Sequence, residues 1–210
     1  MSRDRPPVDG GEKPGWHADP ARDLVLNDAQ ALRGLAHPIR LKLLRLLRFD
    51  GPSTASRLAA RLGLSSAATS YHLRQLAMHG FIVPADPPET EHVHHNDRWW
   101  RSAHRRTYMQ VEPATPEQAE NVEGYLRAVA GMYADNVQAH LDEASTLPRA
   151  WADISEISDM LLYLTPRQTV QLRHELAELL QRYQADAAKR PARARGVIVQ
   201  YQVFPRPGRP

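Results

Sequence analysis

Residues 54–80, TASRLAARLGLSSAATSYHLRQLAMHG, leave little freedom to the fold around them. Two short apolar-periodic runs are each closed by a glycine, Gly63 and Gly80, and only the tripeptide GLS separates them. Thr54 is a natural N-cap, because its side-chain oxygen can accept from a first-turn N–H. Gly63 suits a C-terminal stop, because it enters the left-handed region without a Cβ penalty. The first run predicts a short helix with Leu58 and Leu62 facing inward, and the second a helix from Ser66 to His79. Two short helices joined by a three- or four-residue turn containing glycine form a helix-turn-helix signature.

At about 100° per residue the second helix divides into two faces. With Thr69, Leu73 and Leu76 toward a core, His72 lies at the edge of that face. Ala67, Tyr71, Arg74 and Met78 then point away together, with Ser70 beside them. Small residues let a helix approach base edges in the major groove. Ser, Tyr and Arg supply donors and acceptors, and Arg can hold guanine through two bonds. The free N–H groups at the helix start can also receive a phosphate. An ordinary solvent face is the plain alternative, and the shortage of Lys and Glu on it argues the other way.

The flanks fit the same plan. Asn27 can cap a helix from Asp28 to about Ala36, and Pro38 opens another as its first residue. Ile39, Leu41, Leu43, Leu44, Leu46 and Leu47 cover most of that second helix, as in a buried element. The triplet Asp50-Gly51-Pro52 ends it. Downstream, FIV and RWWRS surround a long polar loop and predict a β-hairpin. Strand alternation sends one of Trp99 and Trp100 inward and the other to the opposite surface. Arg98, Arg101, Arg105 and Arg106 crowd this hairpin as natural phosphate contacts, with idle surface charge as the alternative. The loop carries EHVHHND, residues 91–97. A structural zinc site wants about four well-held ligands. His92, His94 and His95 on a loop are therefore expected to contact DNA backbone or minor groove, not metal, and such contacts strengthen as pH falls through about 6.5.

Charge divides along the chain. Residues 27–110 carry net +6, residues 111–188 net −8 and residues 189–210 net +6, within a total of +3. A polyanion suits the first block, and a protein-contacting or ligand-holding part suits the second. Solvated helix faces would give the same numbers. There are no cysteines, which excludes disulfides, thiolate metal sites and a cysteine nucleophile together. No phosphate loop, HExxH or Gly-x-Ser-x-Gly is present, and no enzyme is expected. The absence of an apolar leader or spanning run leads to the expectation of a cytoplasmic protein without membrane contact.

Two matching devices organise the second half. TPEQ at 115–118 and TPRQ at 165–168 each place Thr as N-cap, Pro at the first helical position and Gln to reach back. The first opens a helix to about residue 145, roughly 45 Å long. Its stripe is Val122, Leu126, Val129, Tyr133, Val137, Leu141 and Ala144. Pairing with a second copy is the economical way to bury it, and packing on this chain's own C-terminal helix is the alternative. The second device opens a helix from Pro166 to about Ala187, between LLYLT (161–165) and the alternating GVIVQYQVFP (196–205). That is a strand-helix-strand pattern, to be satisfied within one subunit or across two.

LAHPIRLKLLRLL, then LAARLGLSSAATSYHLRQLAMHGFI with its Ser66, Ser70, His72 and Leu73 core, and RWWRS together resemble the ArsR-type winged helix-turn-helix transcription regulators. The resemblance covers residues 27 to about 103. It implies a homodimer that binds a palindromic operator in double-stranded DNA, usually as a repressor, and by position it carries DNA contact onto Ser66, Ala67, Ser70, Tyr71 and Arg74. The metal-sensing members use cysteines where this chain has PSTASRLAA, so metal sensing does not carry over and no cofactor is expected. The last 100 residues exceed the usual family core and resemble the longer, helix-rich members.

The expected fold is therefore mainly α with small β (α+β). A tail at 1–26 precedes a winged helix-turn-helix at 27–110. A helical dimerisation region at 111–204, with room for an unidentified small-molecule effector, precedes a tail at 205–210. Two rival readings stay open: a winged-fold protein-interaction module, and an effector-gated sensor with a metal or small-molecule ligand in the second half.

Overall fold

The computed structural model describes residues 22–26, 29–88, 97–109, 113–183 and 194–208. It forms two units, one spanning Ala18–Ser155 and the other containing Glu156–Pro210. The first unit runs β1 (Asp23–Leu26), α1 (Ala29–Arg33), α2 (Pro38–Phe49), β2 (Ser53–Thr54), α3 (Ala55–Leu62), α4 (Ser66–Met78), β3 (Ile82–Pro84), β4 (Trp99–Ser102), β5 (Arg106–Met109), α5 (Pro116–Glu143), a 3-10 turn at Ala144–Thr146 and α6 (Arg149–Ala152). The second unit holds α7 (Pro166–Tyr183).

Local chemistry sets the helix ends. Pro38 stands in the first turn of α2, and His37 Nδ1 accepts from the Ile39 N–H. Thr54 Oγ1 accepts from the Arg57 N–H at the start of α3, and Ser65 Oγ from the Ala68 N–H at the start of α4. Gly63 ends α3 at φ 64°, and Gly80 follows α4 at φ 74°, both in the left-handed region that glycine enters freely. Helix α1 is shorter than the expected 28–36, and Asn27 lies outside the described residues.

The core gathers leucines from α1 to α4, closed by Phe81 and Ile82 after α4 and by Trp100 from β4. Gly34 makes the closure feasible: a Cβ there would lie 2.7 Å from Phe81 Cε2, closer than a side chain can approach. The hairpin forms as expected, with Val83 opposite Arg101 and Pro84 opposite Trp100, and β2 extends it on the other side of β4.

Several expectations need correction. Both tryptophans are buried, at 4 % exposure each, so neither faces solvent. Trp100 joins the leucine core, while Trp99 lies under the guanidinium of Arg57, 4.9 Å from its ring centroid. Alternation did send them to opposite faces, but α3 supplies a cationic cover for the second. Residues 23–26 are not tail: they form β1, parallel to β5, with Asp23 opposite Arg106 and Leu26 opposite Met109. DLVL is apolar enough for a strand, but its partner lies some 80 residues away (Asp23 to Arg106) and is invisible locally.

The boundary expected at 110–111 does not separate the units, because α5 packs on the first. Val122, Tyr125, Ala128, Val129 and Met132 lie against the leucine core. The ion pairs Lys42–Asp135 (2.7 Å) and Arg33–Glu117 (3.4 Å) join the basic helices to the acidic one. Part of the charge division is therefore satisfied inside the chain. Both pairs are half exposed and add little stability.

In the second unit, α7 starts where TPRQ predicts: Thr165 Oγ1 accepts from the Gln168 N–H, and Gln168 Oε1 accepts from the Thr165 N–H. The flanking strands of the expected strand-helix-strand element do not form within one chain, one of the two arrangements left open. Residues 161–165 and 196–205 lie in no sheet. Alternating apolar residues specify the faces of a strand, not the neighbour it needs for hydrogen bonding.

Candidate nucleic-acid interface

Helix α4 separates its residues as the wheel requires. Thr69, Leu73 and Leu76 are fully buried, and Ser66, Ala67, Tyr71, Arg74 and Met78 are exposed, with Ser70 half-buried beside them. Tyr71 is 53 % and Met78 72 % exposed, an unusual amount of apolar surface for a helix facing only water. The small residues lie in the first turn, where Ser66 Oγ comes within 3.5 Å of Ser56 Oγ at the start of α3. Tyr71 and Arg74 follow one turn on. The face is thus smooth at its N-terminal end and reaching at its centre, with the last exposed side chain, Met78, apolar.

Arg98 and Arg101 are both exposed on the hairpin. The Arg98 guanidinium stacks 4.3 Å from the Trp100 ring centroid, and Arg101 donates to the Ser102 carbonyl at 3.3 Å. His92, His94 and His95 lie outside the described residues. Arg105 is engaged elsewhere: its backbone N–H donates to the Arg22 carbonyl, and its side chain reaches the buried Asp23 carboxylate at 3.4 Å.

Arg48, a residue that motif reading passed over, ties the segment from the end of β4 to β5 onto α2. It donates to Thr107 Oγ1 at 2.7 Å, to the His104 carbonyl at 3.1 Å and to Ser102 Oγ at 3.4 Å. Burial pulls its pKa down to about 10, so it stays cationic at neutral pH. A half-buried guanidinium held at three points fixes the β4–β5 segment against α2. Nothing in the sequence set Arg48 apart from Arg40, Lys42 and Arg45 on the same helix.

A second unforeseen feature lies behind the exposed face. The His37 and His72 rings stand 4.5 Å apart, with Tyr71 edge-on to His72 at 5.3 Å. His72 is buried, at 9 % exposure, and its Nδ1 has no hydrogen-bond partner among the described residues. Burial, the neighbouring imidazole and Arg40 hold the His72 pKa below 6.5; burial and Arg40 do the same for His37. The unfolded chain therefore takes up protons first as pH falls. Stability is complete above about 6.5 and is lost as pH drops through the folded-state values. His104, also lowered by burial and by Arg48, adds in the same direction. We expect the melting temperature to fall between pH 7.5 and 5.5, and His72→Asn to flatten that slope in differential scanning fluorimetry. Equal slopes would remove the pair as the cause.

The residues named for dimerisation form one stripe of α5, about a third of a turn wide. Val122 and Val129 are half-buried on this chain's own core. That part of the stripe is covered by α1 and α2, contrary to the expectation that it faces a second copy. Leu126, Tyr133, Val137 and Leu141 lie roughly 20° to 100° round from Val122 at 100° per residue, toward one edge of the stripe. Leu126 is 48 % and Leu141 53 % exposed, and Tyr133 and Val137 are half-buried. Among the described residues no helix is long and apolar enough to cross a membrane, and no cluster of three His, Cys, Asp or Glu could hold a metal ion.

Comparison with known proteins places a helix-turn-helix domain family on residues 35–84, from the end of α1 to the end of β3. No curated protein matches the chain. Similar solved structures include M. tuberculosis Rv0081, at 23 % identity over 52 % of this chain and 91 % of that one, with a TM-score of 0.31. A structure described as "Possible transcriptional regulator for arsenical resistance" is 23 % identical over 60 % of this chain and 97 % of that one, TM-score 0.29. The apo C30AH42A mutant of Lactococcus lactis ZitR is 15 % identical over 71 % and 84 %, TM-score 0.30.

Proposed function

We propose that this chain, which matches a helix-turn-helix domain family at residues 35–84, is an ArsR-like, sequence-specific DNA-binding transcriptional regulator, acting as a homodimeric repressor on a palindromic operator. The exposed face of α4 is the observation that carries this reading. Ser66, Ala67, Ser70, Tyr71 and Arg74 read base edges, while Arg98, Arg101 and the loop histidines His92, His94 and His95 hold the backbone. Positioning contacts release counterions, so affinity falls steeply with salt. The test is binding of genomic fragments against random DNA at moderate salt, with the salt slope measured alongside. No preference for any fragment overturns the proposal. A flat salt dependence favours a protein-interaction module instead.

The two-copy part rests on the outer face of α5. Dimers read half-sites about one helical turn apart, so operator symmetry mirrors protein symmetry. Leu126, Tyr133, Val137 and Leu141 form the seam, and Val122 and Val129 brace α5 on the DNA-binding unit. Leu126→Glu with Leu141→Glu is expected to weaken self-association at least tenfold in analytical ultracentrifugation while leaving the melting temperature nearly unchanged. An unchanged association constant excludes this face. Residues 111–204 are also where an effector, if the operator complex responds to one, would act.

A further inference from the structure

Helix α2 carries Arg40, Lys42, Arg45 and Arg48, and three of these cations are accounted for. Lys42 pairs with Asp135, Arg45 stacks 5.1 Å from the Phe49 ring centroid, and Arg48 is held by Ser102, His104 and Thr107. Arg40 neither pairs nor stacks among the described residues. Its Nε is buried without an acceptor, although the residue as a whole is only half-buried. Burial holds its pKa below the usual guanidinium value, and the nearby Tyr71 phenol offsets part of that. Partly desolvating a cation costs free energy that an anion in contact returns. The helices that build this part of the unit, α1 to α4, contain no Asp or Glu.

The place of Arg40 in the fold says which anion fits. Its N–H donates to the carbonyl of the cap residue His37 at 3.0 Å, so both side chains belong to the start of α2. The His37 ring stands 4.5 Å from His72, and Tyr71, 53 % exposed on α4, is edge-on to that same His72 ring. The start of α2 therefore borders the α4 face assigned above to base reading. His37 Nδ1 accepts from the Ile39 N–H, so the neutral ring carries its hydrogen on Nε2 and offers a donor there. His37 too is half-buried. A helix lying in the major groove has backbone phosphates along its flanks. We infer that Arg40 and His37 hold one phosphate of the DNA backbone beside Tyr71. This rests on the DNA-binding reading above and adds a contact from outside α4 and the hairpin. Such a contact positions the protein and reads no base, so it acts on every sequence alike.

The affinity of the full chain for a random-sequence duplex and for its best-bound genomic fragment, measured across salt concentrations, tests this. Arg40→Gln is expected to weaken both by about tenfold at low salt and to make the slope of log affinity on log salt shallower by about 0.9. Arg40→Lys keeps a point charge and should keep the slope. The melting temperature of Arg40→Gln should not fall, because no partner inside the chain is lost. His37→Asn keeps an acceptor for the Ile39 N–H and removes the ring donor. It should weaken both duplexes by a smaller factor, and undiminished binding there strikes His37 from the contact. Unchanged affinity and slope in Arg40→Gln, with wild-type binding intact, overturn the inference and leave the α4 reading standing. Loss on the selected fragment alone overturns it too, since Arg40 then reads a base. A loss that comes with a lower melting temperature and an unchanged slope makes Arg40 a structural support and also overturns it. A wild type that binds neither duplex at any salt removes the DNA-binding reading and this contact together.

Discussion

Replacing Phe81 with alanine is expected to cost about 3–5 kcal/mol of unfolding free energy, read as a fall in the urea midpoint at unchanged slope. Phe81 is the largest fully buried side chain and lies against Gly34 of the turn after α1. It follows the Gly80 turn directly, so it pins the end of α4 to the first helix. Its removal leaves a cavity between elements held in place by caps and by the hairpin, which limits collapse. A domain of ordinary stability has about 5–15 kcal/mol in total, so the variant should remain folded at low temperature and melt early. A loss under about 1 kcal/mol would mean that α1 and α4 close over the gap. Gly34→Val attacks the same contact from the other side. Its added bulk meets Phe81 and the His79 ring, and it should be comparably damaging.

Arg74→Ala is expected to weaken binding to the cognate operator by about 1–3 kcal/mol and to relax the preference at one base position. Arg74 stands exposed one turn beyond the small residues that open α4. There a guanidinium can reach a guanine edge once Ala67 and Ser70 allow close approach. The informative readout is the pattern of loss across sequences. Loss on the cognate site alone means base reading. Equal loss on all DNA, with the salt slope reduced by about 0.9, means that Arg74 holds a phosphate. Undiminished affinity removes α4 from the interface as drawn. Unlike Phe81, Arg74 has no part in the core, so stability measured in parallel separates the two effects.

The legible parts of the fold were those governed by near neighbours in the chain. Thr54, Gly63, Gly80, Thr115 and Thr165 act over three or four residues, and the helices begin or end at these positions as their chemistry requires. The same holds for the α4 faces, because a helix repeats too regularly for tertiary context to turn Tyr71 inward without exposing Leu73. Less legible were features that depend on what lies opposite. Nothing near Trp99 announced Arg57, and nothing near His72 announced His37, whose ring arrives from the start of α2. Arg48 looked like one more surface charge until three acceptors between the end of β4 and β5 enclosed it.

By itself, then, the sequence determined the helices, their caps and the side chains that α4 turns outward, because hydrogen bonding and side-chain period act within a turn or two. Only the tertiary structure decided that DLVL is a strand and not a tail, that Val122 and Val129 face inward while Leu126 and Leu141 do not, and that the C-terminal segments lie in no sheet within one chain. Each of these depends on a partner surface distant in sequence, and a strand or an apolar stripe carries no record of which surface that is.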